Sequence, residues 1–420
     1  MILKKTPLEK SYFSFLGLLI IIYPISIIFS NFLSNFIVYF SSFSIIFYIF
    51  YKKKYEVFEN KFYIIFIIFC LYITARSLFV NNENLFFSLK SSLSFIRYLF
   101  FIIAIKLLIE NYNNFLKIFT KFFFVFISIV VFDGFIQYIF GTNLIGMNTI
   151  NNRVSGFFGE TDLVLGSYIA RTMYLLIGLV IITKISYNKN IIAVILFFGT
   201  LIAFISGERA AFALSILGCL YFLLNSNIFN KKKVAFFLIF LIGIVSLLVN
   251  FNSSSNQRFK QTYSDIKTSE NIMFFSKGHE SHWRAGYLMF KDNKLFGQGA
   301  NMFRKLCDNK EFNINKKSCS THPHNFYIQL LAETGIVGFS FIFYFLYQII
   351  ILSIKNIINI IRKKEEDIFS TYKICMLTCL LINFWPILPN GNFFSSFLGN
   401  IIVFSIAFIG VKEKESDEPN

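Results

Sequence analysis

The chain has 420 residues, 55% of them hydrophobic and only 15% charged, whereas soluble domains carry about 25% charged residues. With a mean hydropathy of +0.62, this balance excludes a soluble globular enzyme and points to a polytopic membrane protein. The formal charge of +17 would suggest nucleic acid in a soluble chain, but in a membrane chain lysines mark the cytoplasmic ends of spans, so no nucleic-acid partner is expected.

A span needs roughly 20 mostly apolar residues. Such runs lie near 12–30, 32–50, 62–80, 91–109, 118–140, 162–183, 190–206, 209–225, 234–250, 325–353, 369–388 and 392–411. They predict an all-α polytopic membrane protein of about twelve transmembrane helices, with one large loop between the ninth and the tenth. The first run follows Lys4, Lys5 and Lys10, with no small-residue cleavage pattern after it. It therefore reads as a permanent span, not a signal peptide. Residues 1–250 hold the first nine helices, 251–323 the large loop, and 324–420 the last three helices with a C-terminal tail.

Orientation follows from the lysines. With the N-terminus in the cytoplasm, the inner loops become Tyr51–Lys61, Asn111–Lys117, Lys184–Asn190, Asn227–Lys233 and Lys355–Asp367, with the tail Lys412–Asn420. They hold Lys52-Lys53-Lys54, Lys231-Lys232-Lys233 and Arg362-Lys363-Lys364, while the short opposite loops at Ser30–Asn31 and Pro389–Asn392 carry no basic residue. This is the positive-inside pattern, from which long loops such as 251–323 are exempt.

Four polar pieces then face outside: Asn81–Lys90, Gly141–Asp162, the tight turn Ser206-Gly207-Glu208-Arg209, and 251–323. Arg209 sits at the outer mouth of the eighth span, where a planar guanidinium can grip phosphate; the plainer alternative is an internal pair with Glu208. Arg153 lies in the second piece, as a phosphate contact or a loop anchor. Arg171 lies within the sixth span, either on a substrate path or paired with Asp162 or Glu160.

In the large loop, 282–291 reads as an amphipathic helix and Gly297/Gly299 as a turn. Arg284 either completes a cationic pocket or is a solvated charge. Cys307 and Cys319 lie together outside, where an oxidising compartment favours a disulfide worth on the order of 3 kcal/mol. His279-x-x-His282 and Cys319-x-x-His322 resemble zinc-ligand pairs, but the pairs are unusually far apart and a disulfide would remove one thiolate, so no metal is expected. A Walker motif, a Gly-rich nucleotide fingerprint and a nucleophile elbow are all lacking, so no nucleotide cofactor is expected either.

The loop ends in Thr321-His322-Pro323-His324-Asn325, at the start of an apolar run. Read as a helix with Pro323 in its first turn, the segment puts His324, Ile328, Leu331, Gly335 and Gly338 on one face. The two glycines would let another helix approach. His324 would sit at the positive end of the helix dipole, which keeps imidazole neutral and able to accept a proton and also attracts phosphate.

The pattern His324-Asn325, nine residues, then Gly335-Ile336-Val337-Gly338 resembles the signature of the O-antigen ligase and O-antigen polymerase superfamily. Arg153-Val154-Ser155-Gly156, Gly207-Glu208-Arg209-Ala210 and the stretch from Trp283 through Phe296-Gly297-Gln298-Gly299 are similar to family patterns too. The resemblance implies twelve spans in the bacterial inner membrane, with the large loop periplasmic and both termini cytoplasmic. It implies a glycosyltransferase without metal or nucleotide. The donor would be a glycan on undecaprenyl pyrophosphate, and the acceptor a lipid A-core sugar in ligases or another glycan in polymerases and related protein oligosaccharyltransferases. In those terms His324 activates the acceptor and Arg209 holds pyrophosphate, with Arg284, Arg153, Arg171, His322 and Asn325 as further substrate contacts. A ligase is the first reading. The other class is a transporter that guides the same lipid-linked glycan with the same arginines.

Overall fold

A computed structural model of the chain describes residues 6–112, 114–151, 153–159, 162–185, 188–226, 228–251, 256–257, 260, 264, 277–362 and 371–411. The loop after residue 362, the tail from 412, Asn152, Glu160 and most of 252–276 lie outside the described residues.

Thr6 and Glu9 form a capping box that starts α1 (Pro7–Phe29), satisfying backbone donors that the first turn leaves open. Ser30 alone joins it to α2 (Asn31–Lys52), ending one helix and capping the next by accepting from the Leu33 N–H. Lys52 and Glu9 pair at 2.8 Å at the other end of this hairpin. There follow α3 (Lys61–Ser77), α4 (Asn82–Phe95), α5 (Arg97–Asn111), α6 (Phe115–Phe140), α7 (Leu165–Thr183), α8 (Lys189–Ile205), α9 (Arg209–Asn225) and α10 (Lys231–Phe251). The large loop contributes α11 (Lys277–Asp292) and the single turn α12 (Phe303–Leu306). Last come α13 (Phe326–Ile361), α14 (Thr371–Asn383) and α15 (Ser396–Ala407). Among the described residues every regular element is helical, with two isolated β-bridges, Thr142–Asn148 and Ile150–Arg153.

Among the described residues, seven helical stretches are long and apolar enough to cross a membrane: α1, α2, the run α4–α5, α6, α7, α10 and α13. Four shorter apolar helices, α8, α9, α14 and α15, accompany them. The chain is an all-helical polytopic membrane protein. Its centre is α7, buried from Leu165 to Val180 and packed by α6, α8, α9, α14 and α15, as expected of a helix that is apolar all round. The outer faces present large apolar side chains, among them Phe32, Phe43, Phe47 and Phe50 of α2.

The structure redraws two predicted stretches. The segment Asn81–Lys90, expected as a polar loop, is largely helical, and the break falls instead at Ile96, between α4 and α5. The last two predicted spans shrink to 13 and 12 residues, because 384–395 leaves the helix. Pro386 and Pro389 cannot donate to a helical ladder, and the unwound backbone is turned to other use. Irregular backbone at membrane depth is tolerated where protein buries it, and here it packs on the start of α13.

One end of the bundle gathers the polar pieces. Arg76, at the end of α3, donates to the Gly297 carbonyl. Ser88 of α4 donates to the Ala300 carbonyl, and Asn301 donates to Ser91. Phe157 of the α6–α7 loop packs on Phe29, and Glu208 reaches the start of α7.

Candidate active site

The helix at the opening motif begins later than its sequence pattern suggests. Asn325 is its cap: its side-chain oxygen accepts from the Tyr327 and Ile328 N–H groups at 2.9 and 3.2 Å. Asn325's own amide donates to the Pro386 carbonyl at 2.9 Å. With both ends engaged and 4% exposure, Asn325 positions the helix start. His324 lies outside the helix with φ of +55°, a conformation uncommon for a residue with a Cβ. Asn390 holds it there, donating its backbone N–H to the His324 carbonyl and accepting the Phe326 N–H on its side chain. The expected single face running from His324 to Gly338 is therefore replaced by a left-handed His324 in front of a helix.

A second break follows at Gly335, where φ is 63° and ψ is −169°. The segment 294–299 runs along it. Ile336 and Val337 donate to the Lys294 and Leu295 carbonyls, and Gln298 and Gly299 donate to the Ala332 and Glu333 carbonyls. Gly335 thus admits a loop, not the helix expected from its spacing; Gly338 does face a helix, meeting Tyr72 of α3. Glu333, fully buried, fastens the next turn of the loop: one carboxylate oxygen accepts the Phe303 N–H at 2.8 Å, the other the Asn301 N–H at 3.0 Å. Gln329 bridges Glu333 to Asn392 of the unwound 384–395 segment.

Helix α11 brings in the rest. Positions 279, 282, 285/286 and 289 follow helical spacing and share one face. Ala285 and Met289 bury that face against Phe303, Cys307 and Ala332, so His279 and His282 are carried toward His324. All four histidines of the chain meet. Ring centres of His322, His279 and His282 lie 4.2, 5.1 and 5.3 Å from that of His324. The Ser320 hydroxyl lies 3.4 Å from His324 Nε2, and His282 Nδ1 lies 3.2 Å from the Ser318 carbonyl.

Burial, reinforced by the three neighbouring rings, pushes His324 down to about 3. Burial takes His322 to about 4, opposed by the Asn390 backbone and helped by Arg304. Burial also lowers His279, with His282 and then Arg209 adding. His324 is therefore neutral across physiological pH, as the helix-start argument expects, but mainly for want of solvent. A neutral imidazole keeps a lone pair for a proton, and an anion bound beside it would raise its basicity.

The nominated arginines divide. Glu208 turns to the start of α7. Its carboxylate accepts from the Gly166 N–H at 2.6 Å and the Ser167 hydroxyl at 2.7 Å, capping α7. Arg153 and the buried Arg171 both lie within its electrostatic reach. Arg153 donates to the Leu163 carbonyl, while its Nε and the Arg171 Nη1 are buried without a partner. Arg209 is exposed, and its charge reaches Arg153 on one side and His279 on the other. Arg284 points away: it pairs with Glu280 at 2.8 Å on the exposed side of α11. Arg304 approaches instead, donating to the Thr321 carbonyl and acting on His322.

Cys307 and Cys319 are joined in a disulfide. Cys319 therefore offers no thiolate, and among the described residues no three His, Cys, Asp or Glu side chains are placed to hold a metal.

Residues 192–343 match the family model for O-antigen ligase. The likeness to the O-antigen ligase family lies in that stretch of the chain. A search of curated proteins finds no match to it. The matched stretch holds Arg209, all four histidines, the disulfide and the Gly335 break.

Sequence reasoning missed how His279, His282, Arg304 and Glu333 come together around the His324-Asn325 motif. A signal existed for the histidines, since their i,i+3 spacing continues onto the apolar positions 285 and 289. Arg304 carried none, because only the folded loop brings it in, while Glu333 offered only that it is an acid in an apolar run. Beneath the site, an apolar cavity of about 390 Å³ opens between α3, α5, α13, α14 and α15. Its walls Phe384 and Phe393 pack on Phe326, the first residue after the Asn325 cap.

Proposed function

We propose that the chain is an O-antigen ligase. It transfers a glycan from undecaprenyl pyrophosphate to a sugar hydroxyl of lipid A-core at the periplasmic face of the inner membrane. The observation that carries this reading is the meeting of a neutral His324 with a cationic flank at Arg209, inside the region matched by the family model.

The chemistry follows from the parts. A glycosyl pyrophosphate already has a good leaving group, so the site has two tasks. It must balance charge gathering on the pyrophosphate, which guanidinium groups do well in a partly dry site. Arg209 takes that role, with Arg153 and Arg171 behind it and Arg304 opposite. The site must also accept the acceptor's hydroxyl proton, and His324 has the lone pair for it. Neither task calls for a metal or a nucleotide. Direct displacement inverts the anomeric centre. His322 lines the approach, and Asn325 holds the geometry. The apolar cavity under Phe326 suits the prenyl chain of the donor.

The topology in this reading has twelve crossings, counting α4–α5 as one and including α3, α8, α9, α14 and α15. Both termini are cytoplasmic and the histidine end is periplasmic, as the lysine distribution requires.

The deciding experiment is transfer by purified protein in detergent, with a glycan on undecaprenyl pyrophosphate and a choice of acceptors. Glycan on lipid A-core is the expected product. Products in which repeat units join one another would make the protein a polymerase. Glycan moved across vesicle membranes without any new glycosidic bond would make it a transporter.

A further inference from the structure

A proton taken by His324 cannot rest there. The ring is crowded by His279, His282 and His322, and each of these opposes an imidazolium there, while Arg209 acts on His279 and Arg304 on His322. His324 therefore needs a way to discharge between turnovers.

Three rings border it, and their surroundings separate them. His279 faces the Arg209 charge, and His322 faces Arg304 and has its Nδ1 against the Thr321 hydroxyl at 3.0 Å. His282 is different. Its Nδ1 lies 3.2 Å from the Ser318 carbonyl, and a carbonyl oxygen can only accept. The proton of neutral His282 is thereby fixed on Nδ1, and Nε2 carries the lone pair. The two rings are tilted by 35° with centres 5.3 Å apart, close enough to pass a proton directly or through one water. The carbonyl itself is steadied, since Ser318 is fully buried and accepts from the Ile314 and Asn315 N–H groups on its hydroxyl.

We infer that His282 relays the acceptor's proton away from His324, its tautomer set by the Ser318 carbonyl. This rests on the reading of His324 as the base. The acceptor O–H breaks and its proton goes to a ring nitrogen of His324. The oxygen's electron pair forms the new bond to the anomeric carbon, while the anomeric C–O bond breaks and leaves its pair on pyrophosphate. The proton then passes to His282 Nε2 and on to water, returning both rings to their starting state. His282 acts through His324 and is a positioning residue, not a catalytic one.

The full-length protein with ¹⁵N-labelled histidine tests this, since only four histidines give signals. In the ligand-free protein, His282 should be protonated on Nδ1 in its neutral form. A neutral His282 protonated on Nε2 overturns the relay, whatever reaction the protein performs. In the transfer assay, His282→Asn keeps a donor for the Ser318 carbonyl but cannot carry a proton. It should lower kcat on the order of 10²-fold with KM within about twofold. Added imidazole should restore part of the kcat of His282→Gly. Full kcat in His282→Asn sinks the proposal, as does a loss in His282→Gly that imidazole cannot relieve. Transfer by the wild-type protein separately tests the ligase reading.

Discussion

Gly297 and Gly335 stand back to back at the break in α13, with φ of 68° and 63°. A Cβ on either one would overlap the other segment's backbone. That contact lets 294–299 run beside the helix and bring Arg304 and the disulfide segment over the histidines. Alanine at Gly335 must also adopt a backbone region open essentially to glycine alone, at about 1–3 kcal/mol. We expect Gly335→Ala and Gly297→Ala to lower the thermal midpoint in detergent and to abolish transfer. Gly391→Ala, whose added carbon meets only Leu398 at 3.6 Å, should behave as wild type. Full activity in Gly335→Ala would refute the role of the break.

The depressed histidines make stability depend on pH. In the folded protein His324 lies near 3 and His322 near 4, against 6.5 for a free side chain. Between pH 6.5 and about 4 the unfolded chain therefore binds more protons than the folded one. Stability is complete above that window and falls as pH drops through it. Thermal midpoints measured from pH 7.5 to 4.5 should decline for the wild type and decline less for His324→Asn or His322→Asn. An equal decline in all three would place the acid sensitivity elsewhere. Because free His324 stays neutral throughout, it should contribute no break near 6.5 to kcat/KM.

The arginines should rank by position, not by sequence resemblance. Arg209 acts on both His279 and Arg153, so in the proposed reaction its removal would take charge-assisted bonds from the pyrophosphate. At about 1.5–3 kcal/mol, Arg209→Ala should cost on the order of 10- to 100-fold in kcat/KM. Arg304→Ala should show a loss of the same kind. Arg284 spends its charge on Glu280, with 60% of its side chain exposed. A surface pair of that sort is worth about 1 kcal/mol or less, so Arg284→Ala should stay within about fivefold of wild type. A larger loss for Arg284→Ala than for Arg209→Ala would reverse the geometry argued above.

Much of this was legible in the sequence because membrane chemistry leaves few options. Apolar runs and lysine clusters give helices and ends, and the adjacent charges Glu208-Arg209 in an apolar run fall at a turn where Glu208 accepts from the start of α7. What the sequence concealed depends on breaks in regular structure. Helical spacing places His324 in a helix, but Asn390 holds it outside. The same spacing assigns Gly335 to a helix contact, yet its backbone opens to a loop. Arg284 and Arg304 look alike as loop charges, and only the buried face of α11 shows which one turns away.

Glu333 is the strongest case of a residue hidden from sequence and exposed by structure. It is an acid in an apolar helix, fully buried, yet it touches no histidine. Its two oxygens accept from the Asn301 and Phe303 N–H groups and from the Gln329 amide. Those bonds tie the Arg304 turn to α13, and through Gln329 and Asn392 to the segment that carries Asn390. Glutamine in its place keeps the shape but sets an amide N–H₂ against at least one donor, leaving that donor buried and unmet. Such a loss costs about 1–3 kcal/mol. We expect Glu333→Gln to lower the thermal midpoint by several degrees and to reduce kcat, because Arg304 and Asn390 shift together. Glu333→Asp, one methylene too short for both backbone donors, should fall on the same side. A Glu333→Gln protein with unchanged midpoint and unchanged kcat would show that the carboxylate is not what holds the loop over the histidines.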